Sequence, residues 1–323
     1  MTRLNPDNND QIVWLLNETS GVYRNTGVLS PNDSTTDLTI TNTIIRTGAG
    51  LFGGNCPQFP GTSNFPTGSS ATRNYAAGAK TINIAPPITI SCWVHLRSYT
   101  NVNNQMIIAK DFRDHTITSS WANPLVSIMI GTGTGNGGGD WFVRCAPNDS
   151  TINALTVTDF PIPLGQWSHV GMTHDGTSLR AYLNGNQCIY YSGSTQLNTF
   201  PSPGIDYTDD VNGFGSWRVG AIAATGSSNK EEPNAQIQDV RIANIVRPLS
   251  YFQSIYALGT LPTIPGLASA NQYFKLRAYD TSCPTPTAVV WVDTQISLDN
   301  APAFPCIGPY TNPEVLDTWF VTT

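Results

Sequence analysis

The sequence predicts an all-β fold in which two antiparallel sheets pack face to face, and three observations carry that expectation. Charged residues make up only 12% of the 323-residue chain while apolar residues reach 40%. The charged share is about half of the ~25% usual in a globular domain, so the surface falls to Thr, Ser, Asn and Gly. Thr suits strands, and Asn and Gly suit tight turns. Short apolar runs alternate at period two, and Asn-Gly and Asp-Gly pairs stand between them, as hairpins require. Sixteen Lys+Arg stand against 22 Asp+Glu, a net charge of −6, and nucleic acid is excluded as a partner because phosphate binding needs concentrated cationic charge. No run approaches ~18 uninterrupted apolar residues, so no membrane insertion is expected. With eight Trp and 10% aromatics to bury, the chain should form a core.

Strand signals follow one another along the chain. Gln11–Leu16 is the first apolar run. Ile88–Val94 (ITISCWV) alternates cleanly, so Ile88, Ile90, Cys92 and Val94 share one face, where a cysteine behaves as a small hydrophobe. Further strands are expected at Gln105–Lys110, Leu125–Ile130 and Asp140–Cys145. Between Trp167 and Tyr191, Asp175-Gly176 divides WSHVGMTH from TSLRAYL, and Asn184-Gly185 divides that strand from NQCIYY. Both pairs favour the left-handed backbone of two-residue turns, which predicts a three-stranded meander. Trp217–Ala221 and Ala235–Ile242 complete the set. One helix is predicted: Pro248-Leu249-Ser250 opens it, Leu249, Phe252, Ile255, Tyr256 and Leu258 share a face, and Gly259 should stop it. A Pro-rich connector, Leu261–Gly266, then leads to strand-like runs at Tyr273–Tyr279 and Ala288–Val292. The expected division is a sandwich over 1–260 and a C-terminal extension over 261–323. The extension is too small to stand alone, so it should pack on the main body or on a neighbouring subunit.

The opening MTRLNPDNND has neither a basic start with an apolar run nor a small-residue cleavage site, so no signal peptide is expected and the chain is read as made in a cytoplasm. Cys56, Cys92, Cys145, Cys188, Cys283 and Cys306 are spread widely rather than spaced as a disulfide framework or metal clip, which predicts mostly free thiols. Cys283 and Cys306, flanking a strand-like segment, are the candidate disulfide. The Gly-rich run Gly131–Gly139 invites a phosphate-loop reading, but it joins two strands rather than a strand to a helix.

A family pattern is legible on these strands. Leu164–Thr177 (LGQWSHVGMTHDGT) through Leu183-Asn184-Gly185 resembles the central signature of laminin-G-like, concanavalin A-like jelly-roll domains: G-x-W-x-H-V, a short strand, D-G-T, and a strand ending in an x-G turn. Trp14–Gly21 resembles the opening strand and its Gly turn, and Phe52-Gly53-Gly54 with Ile88–His95 the strands leading to the first core Trp. Gln238–Ile242, with Arg247-Pro248-Leu249-Ser250 after it, is similar to the closing strand and helix. Covering about residues 11–259, the resemblance implies an antiparallel β-sandwich jelly roll with one short helix. Trp167 and His169 share a strand face and are read as packing at a sheet edge, the imidazole hydrogen-bonded. His174 and Asp175 are read as an exposed turn pair, and Asp239 with Arg241 as a surface or inter-sheet ion pair.

The same sandwich hosts β-glucanases, which hold two carboxylates a few ångströms apart on one strand face. The chain has only Glu18, Glu231, Glu232 and Glu314, and no pair has the needed spacing. An alginate-lyase-type jelly roll is suggested by Tyr273–Tyr279 (YFKLRAY), but the family's Arg-x-Glu-x-Arg strand and Gln-x-His motif are missing and Arg277 replaces the usual Gly. No catalytic residue is assigned, and the chain is expected to be no enzyme.

Binding or construction remains. Laminin-G-like domains recognise glycans or protein surfaces through loops at the sheet rim, some of them with Ca²⁺. The candidate sugar contacts are Trp121 and the pair Asp140 and Trp141 beside the Gly-rich loop. Asp206, Asp209 and Asp210 are the candidate calcium ligands, and no other cofactor is implied. A binding fold without an export signal fits a bacteriophage virion protein, made in the host cytoplasm and built into a capsid decoration, collar or fibre. Its partners would be other virion proteins, copies of itself, with a trimer as the expected form, and host surface glycans. The alternative is a bacterial surface lectin or adhesin module.

Overall fold

The computed structural model describes residues 3–29, 34–41, 45–48, 50–61, 75–79, 82–99, 105–110, 124–131, 140–145, 154–157, 161–192, 195–202, 215–220, 232–260, 272–276, 290–292 and 318–322. The first strands are β1 Asp10–Trp14, β2 Leu38–Thr41, β3 Ile45–Thr47, β4 Cys56–Pro60, β5 Tyr75–Gly78, β6 Ile88–Leu96 and β7 Gln105–Lys110. There follow β8 Val126–Ile130, β9 Trp141–Cys145, β10 Ala154–Val157, β11 Trp167–His174, β12 Ser178–Leu183, β13 Asn186–Gln187, β14 Tyr190–Ser192 and β15 Thr195–Leu197. Then come β16 Phe200–Pro201, β17 Trp217–Val219, β18 Asn234–Ala243, the helix α1 Leu249–Thr260, β19 Gln272–Leu276, β20 Val290–Val292 and β21 Thr318–Thr322.

The chain divides into two compact units, Asn5–Tyr256 and Met1–Leu4 with Ala257–Thr323. Within the first unit, β13-β12-β11-β6-β18-β4-β3 form one antiparallel sheet, with β1 also on β18 and β16 on β12. The second sheet runs β10-β9-β8-β7-β17-β5-β2. In the other unit β20-β19-β21 form a small antiparallel sheet, in which Phe274 is paired with Val292 on one side and Phe320 on the other. The strand Thr318–Thr322 had no alternating pattern to announce it.

Period-two patterning builds the core between the two large sheets. Ile88, Ile90, Cys92, Val94 and Leu96 of β6 face inward together with Val170 and Met172 of β11. Val126, Ile128 and Ile130 of β8, with Trp141 and Val143 of β9, face them from the other sheet. Cys92 is a core residue, as its phase predicts. Two buried indoles find partners at the edges of this core: Trp14 Nε1 donates to the Thr36 carbonyl and Trp217 Nε1 to the Ile82 carbonyl, each at 3.0 Å. Leaving such a donor unpaired in an apolar interior is costly.

The meander forms, with one difference. Asn184 (φ 51°) and Gly185 (φ 77°) make the left-handed pair expected of the β12–β13 turn. The β11–β12 connection takes three residues instead of two, because Asp175 Oδ1 accepts from the backbone N–H of Thr177 (2.9 Å) and Ser178 (2.7 Å) and folds the loop around itself. Helix α1 also differs at its end. It runs through Gly259 to Thr260, whose hydroxyl donates to the Ala257 carbonyl at 3.2 Å, so a glycine inside the last turn is tolerated rather than terminating.

Residues of α1 lie over the outward face of the larger sheet. Phe252 stacks on Tyr182 with ring centroids 3.8 Å apart, and Tyr256 stacks on Trp93 at 6.1 Å. Gly171 makes this approach possible: a Cβ there would come within 2.4 Å of the Phe252 ring.

Candidate functional site

The residues proposed from sequence fare differently. Trp121, Asp206, Asp209, Asp210, Cys283 and Cys306 lie outside the described residues. Trp141 is fully buried and belongs to the core, so it presents no face for a sugar to stack on. The alternation of β9 puts Trp141, Val143 and Cys145 inward. Asp140 is 9% exposed, and its Oδ1 has no hydrogen-bond partner among the described residues. Among the described residues, no three His, Cys, Asp or Glu side chains converge as metal ligands.

Three local expectations are corrected. Asp239 and Arg241 do form an ion pair, at 3.2 Å, but both are 2% exposed. A β-bulge between Gln238 and Arg241, with Asp239 at φ 53°, places both groups on β18 beneath other elements. Asp10 joins them, 3.8 Å from Arg241 Nη1 and 2.8 Å from Arg247 Nη2, and Asp7 clamps Arg247 at 2.5 and 2.6 Å. That last contact holds the Asp7 carboxyl down at about 2. His174 is buried rather than exposed, because residues 168, 170, 172 and 174 share the inward face. Its Nδ1 accepts from the Gly176 N–H at 2.9 Å, and burial lowers its pKa. Asp175 pairs instead with Arg180 at 2.8 Å.

His169 is the third correction. It lies mid-sheet, on β11 between β6 and β12, and its imidazole is enclosed by Trp93 at 5.2 Å and Phe252 at 6.1 Å. Its Nδ1 has no hydrogen-bond partner among the described residues. Burial, reinforced by the Arg241 charge, pushes its pKa down to about 3. The polar anchoring is on the backbone: Asn184 Oδ1 accepts from the His169 N–H at 2.9 Å, and the Asn184 N–H donates back to the His169 carbonyl at 2.8 Å.

Beyond the helix-covered area, the outward face of the larger sheet carries a lateral row. Gln58 of β4 is directly opposite Gln236 of β18, Gln236 opposite His95 of β6, and His95 opposite Trp167 of β11. Their chain neighbours Phe59, Ala235, Ile237, Val94 and Leu96 are core residues, so all four side chains fall on the opposite face. Gln58, His95 and Trp167 are half-buried, and Gln236 is buried. The His95 and Trp167 rings are 5.6 Å apart and tilted by 58°. His95 Nδ1 is shielded from solvent and has no hydrogen-bond partner among the described residues. The adjoining row, Gln238, Trp93 and His169, is roofed by α1 and by Phe52, whose ring meets Trp93 edge-on at 6.1 Å. In the sequence Trp167 and His95 stand only as structural landmarks, since the row depends on three long-range pairings.

Two antiparallel sheets closing on one tryptophan-containing core, with a helix over the outward face, define a jelly-roll β-sandwich of the lectin type. Residues 69–250 match the family model of the concanavalin A-like lectin/glucanases superfamily, more than half of the chain, and the protein belongs to that family. No curated protein sequence matches the chain. Among solved structures, Trypanosoma rangeli sialidase in complex with sialic acid is similar at 11% identity and TM-score 0.51, covering 82% of this chain and 37% of that one. The same sialidase bound to 2,3-difluoro-KDN gives TM-score 0.50 at 11% identity, over 80% of this chain and 34% of the other. Domain 4 of AbnA, an extracellular arabinanase of Geobacillus stearothermophilus in complex with arabinotriose, is similar at 13% identity and TM-score 0.47, covering 76% of this chain and 98% of that domain. The chain spans about a third of the length of the sialidase chains, and the likeness at such identities is one of fold.

These findings correct the expectation that the chain is no enzyme. The family unites lectins with glucanases, so the same fold carries enzymes as well as binding proteins. The physical reason is that a missing single-strand glutamate motif says nothing about carboxylates brought together from separate strands.

Proposed function

We propose that the protein is a carbohydrate-recognising structural subunit of a bacteriophage virion, placed in a capsid decoration, collar or fibre. The observation that carries the carbohydrate part is the outward-facing row of amide and aromatic side chains, with Gln58, His95 and Trp167 half-buried, on a sandwich of the lectin/glucanase family. Supporting the virion part are a surface poor in charge, with 12% charged residues overall, and a second unit lying beyond the family-matched region. In this reading the chain is made in the host cytoplasm, resides in the particle, and assembles with other virion proteins and with itself, a trimer being the expected form.

Mass spectrometry of purified virions, set against host surface fractions, tests the placement. The chain is expected in virions. Recovery only from host envelopes would replace the virion with a bacterial surface lectin. Retention of the purified chain on immobilised host-envelope polysaccharide tests recognition, and free passage through that column would remove it.

A further inference from the structure

We infer that α1 is a hinged cover: residues 249–256 lift from the larger sheet as one body, about a pivot at Arg247 and Pro248, while the sandwich beneath stays folded, and acid favours the lifted form. The chain is pinned up to that pivot. Asp7 and Asp10 grip the Arg247 guanidinium. Thr89 Oγ1 donates to the Ile245 carbonyl at 2.6 Å and accepts the Arg247 N–H at 2.9 Å. Pro248, next in the chain, has no N–H to add. Past it, Phe252 is seated on Tyr182 and His169, and Tyr256 on Trp93, by ring contacts. The helix backbone also closes on the β12–β13 turn, where a Cβ on Gly185 would stand 3.1 Å from the Gln253 Cα.

What lies beneath the helix favours its release. Trp93 is directly opposite His169, and Ser91 directly opposite Gly171, so these groups occupy two adjoining rows of the outward face. Ser91 Oγ, Trp93 Nε1 and His169 Nδ1 are buried, and none has a hydrogen-bond partner among the described residues. Lifting the helix gives all three to water, whereas the sheets below keep their backbone pairing and their apolar core. Unpaired polar groups under a cover seated by rings make this element easier to open than the rest of the sandwich.

Acid adds a drive through His169. The imidazole is neutral under the cover, because burial, with the Arg241 charge behind it, holds its pKa at about 3 against an ordinary 6.5. The charged and titratable groups on the elements around it are Arg241 and Asp239 of β18, His95 of β6, Arg180 and Tyr182 of β12, and Tyr251 and Tyr256 of α1. Arg241 acts on it, against protonation. Once uncovered, the ring meets water and takes up a proton in its ordinary range. The lifted fraction therefore rises as pH falls from 6.5 towards 3, by about tenfold per pH unit.

The test is amide hydrogen exchange of the full chain at pH 7 and pH 5, with and without low urea, each rate divided by the intrinsic rate at its pH. Amides of residues 253–256 should exchange at least about tenfold ahead of those of β6 and β11, through an opening that urea does not speed. That opening should grow about 25-fold between pH 7 and pH 5 in the parent chain and stay flat in His169→Phe. A second readout is carbethoxylation of His169 by diethyl pyrocarbonate, followed by mass spectrometry. The ring should react faster than global unfolding allows, and several-fold faster again in Phe252→Ala. This readout carries the test if His169→Phe fails to fold by circular dichroism. Exchange of 253–256 in step with β6 and β11, or a His169 that reacts only on unfolding, overturns the hinged cover. The same pH slope in the parent chain and His169→Phe overturns the acid drive.

Discussion

Arg247 Nη2 donates to Asp10 Oδ1 at 2.8 Å, and Asp10 is 1% exposed. This contact ties the first strand to the segment that enters α1. A buried carboxylate stripped of its partner is costly, about 3–5 kcal/mol. Arg247→Met should therefore lower the stability of the chain by that order in urea denaturation, since Arg241 at 3.8 Å is too far to replace a direct hydrogen bond. Asp7 adds an acid signature. Its pKa is held at about 2 against an ordinary 3.8, chiefly by the Arg247 hydrogen bond. Its contribution is present above pH 3.8 and fades as pH falls towards 2. The effect should be small, because the Asp7 side chain is half exposed, and smaller still in Arg247→Met, where only the hydrogen bonds from Asn9 remain to hold the pKa down.

His169 should make the fold acid-sensitive over a different window. Burial lowers its pKa from 6.5 to about 3. Below pH 6.5 the unfolded chain takes up a proton that the folded chain refuses, so this residue favours unfolding progressively as pH falls from 6.5 to about 3. The slope is about 1 kcal/mol per pH unit. Denaturation curves between pH 7 and 4 should show that slope, and the difference between the parent chain and His169→Phe isolates it. Parallel curves for the two chains would refute the assignment.

Gly171→Ala tests how α1 is seated. The new methyl would meet the Phe252 ring at 2.4 Å, and that ring is already stacked on Tyr182. Overpacking of this kind costs about 1–3 kcal/mol. Thermal melting should drop accordingly, and hydrogen exchange should rise first in residues 249–256.

Asn184 has two separable duties. Its φ of 51° suits the tight turn, and its Oδ1 accepts the His169 N–H. Asn184→Gly keeps the backbone and loses the acceptor, whereas Asn184→Ala loses the acceptor and strains the turn as well. Alanine should therefore be the worse variant, by about 1 kcal/mol in chemical denaturation. Equal losses would mean that the amide does all the work.

The architecture was readable because it is written in local patterns. ITISCWV alternates in register with the core, Asn184-Gly185 turns as such a pair must, and the helix begins just after Pro248. The buried charge network was not readable. Asp7, Asp10, Asp239, Arg241 and Arg247 come from two ends of the unit, and only the pairing of β1 with β18 brings them together. The Gln58–Trp167 row fails to show for the same reason, since one residue of slip in any pairing would turn its members inward. Trp141 was misjudged because its neighbours Asp140 and the Gly-rich loop look like a rim, while its own place in the alternation is interior.

The bulge at Asp239 acts as a phase switch in β18. Ala235 and Ile237, at odd positions, point inward before it, and Val240 and Ile242, at even positions, do so after it. One extra residue thus lets a single strand change parity without changing sides. With Asp239 kept and the bulge straightened into regular pairing, one half would have to invert, sending either the glutamines or Arg241 into the hydrocarbon interior. The least regular residue of the strand is the one that keeps both of its surfaces consistent.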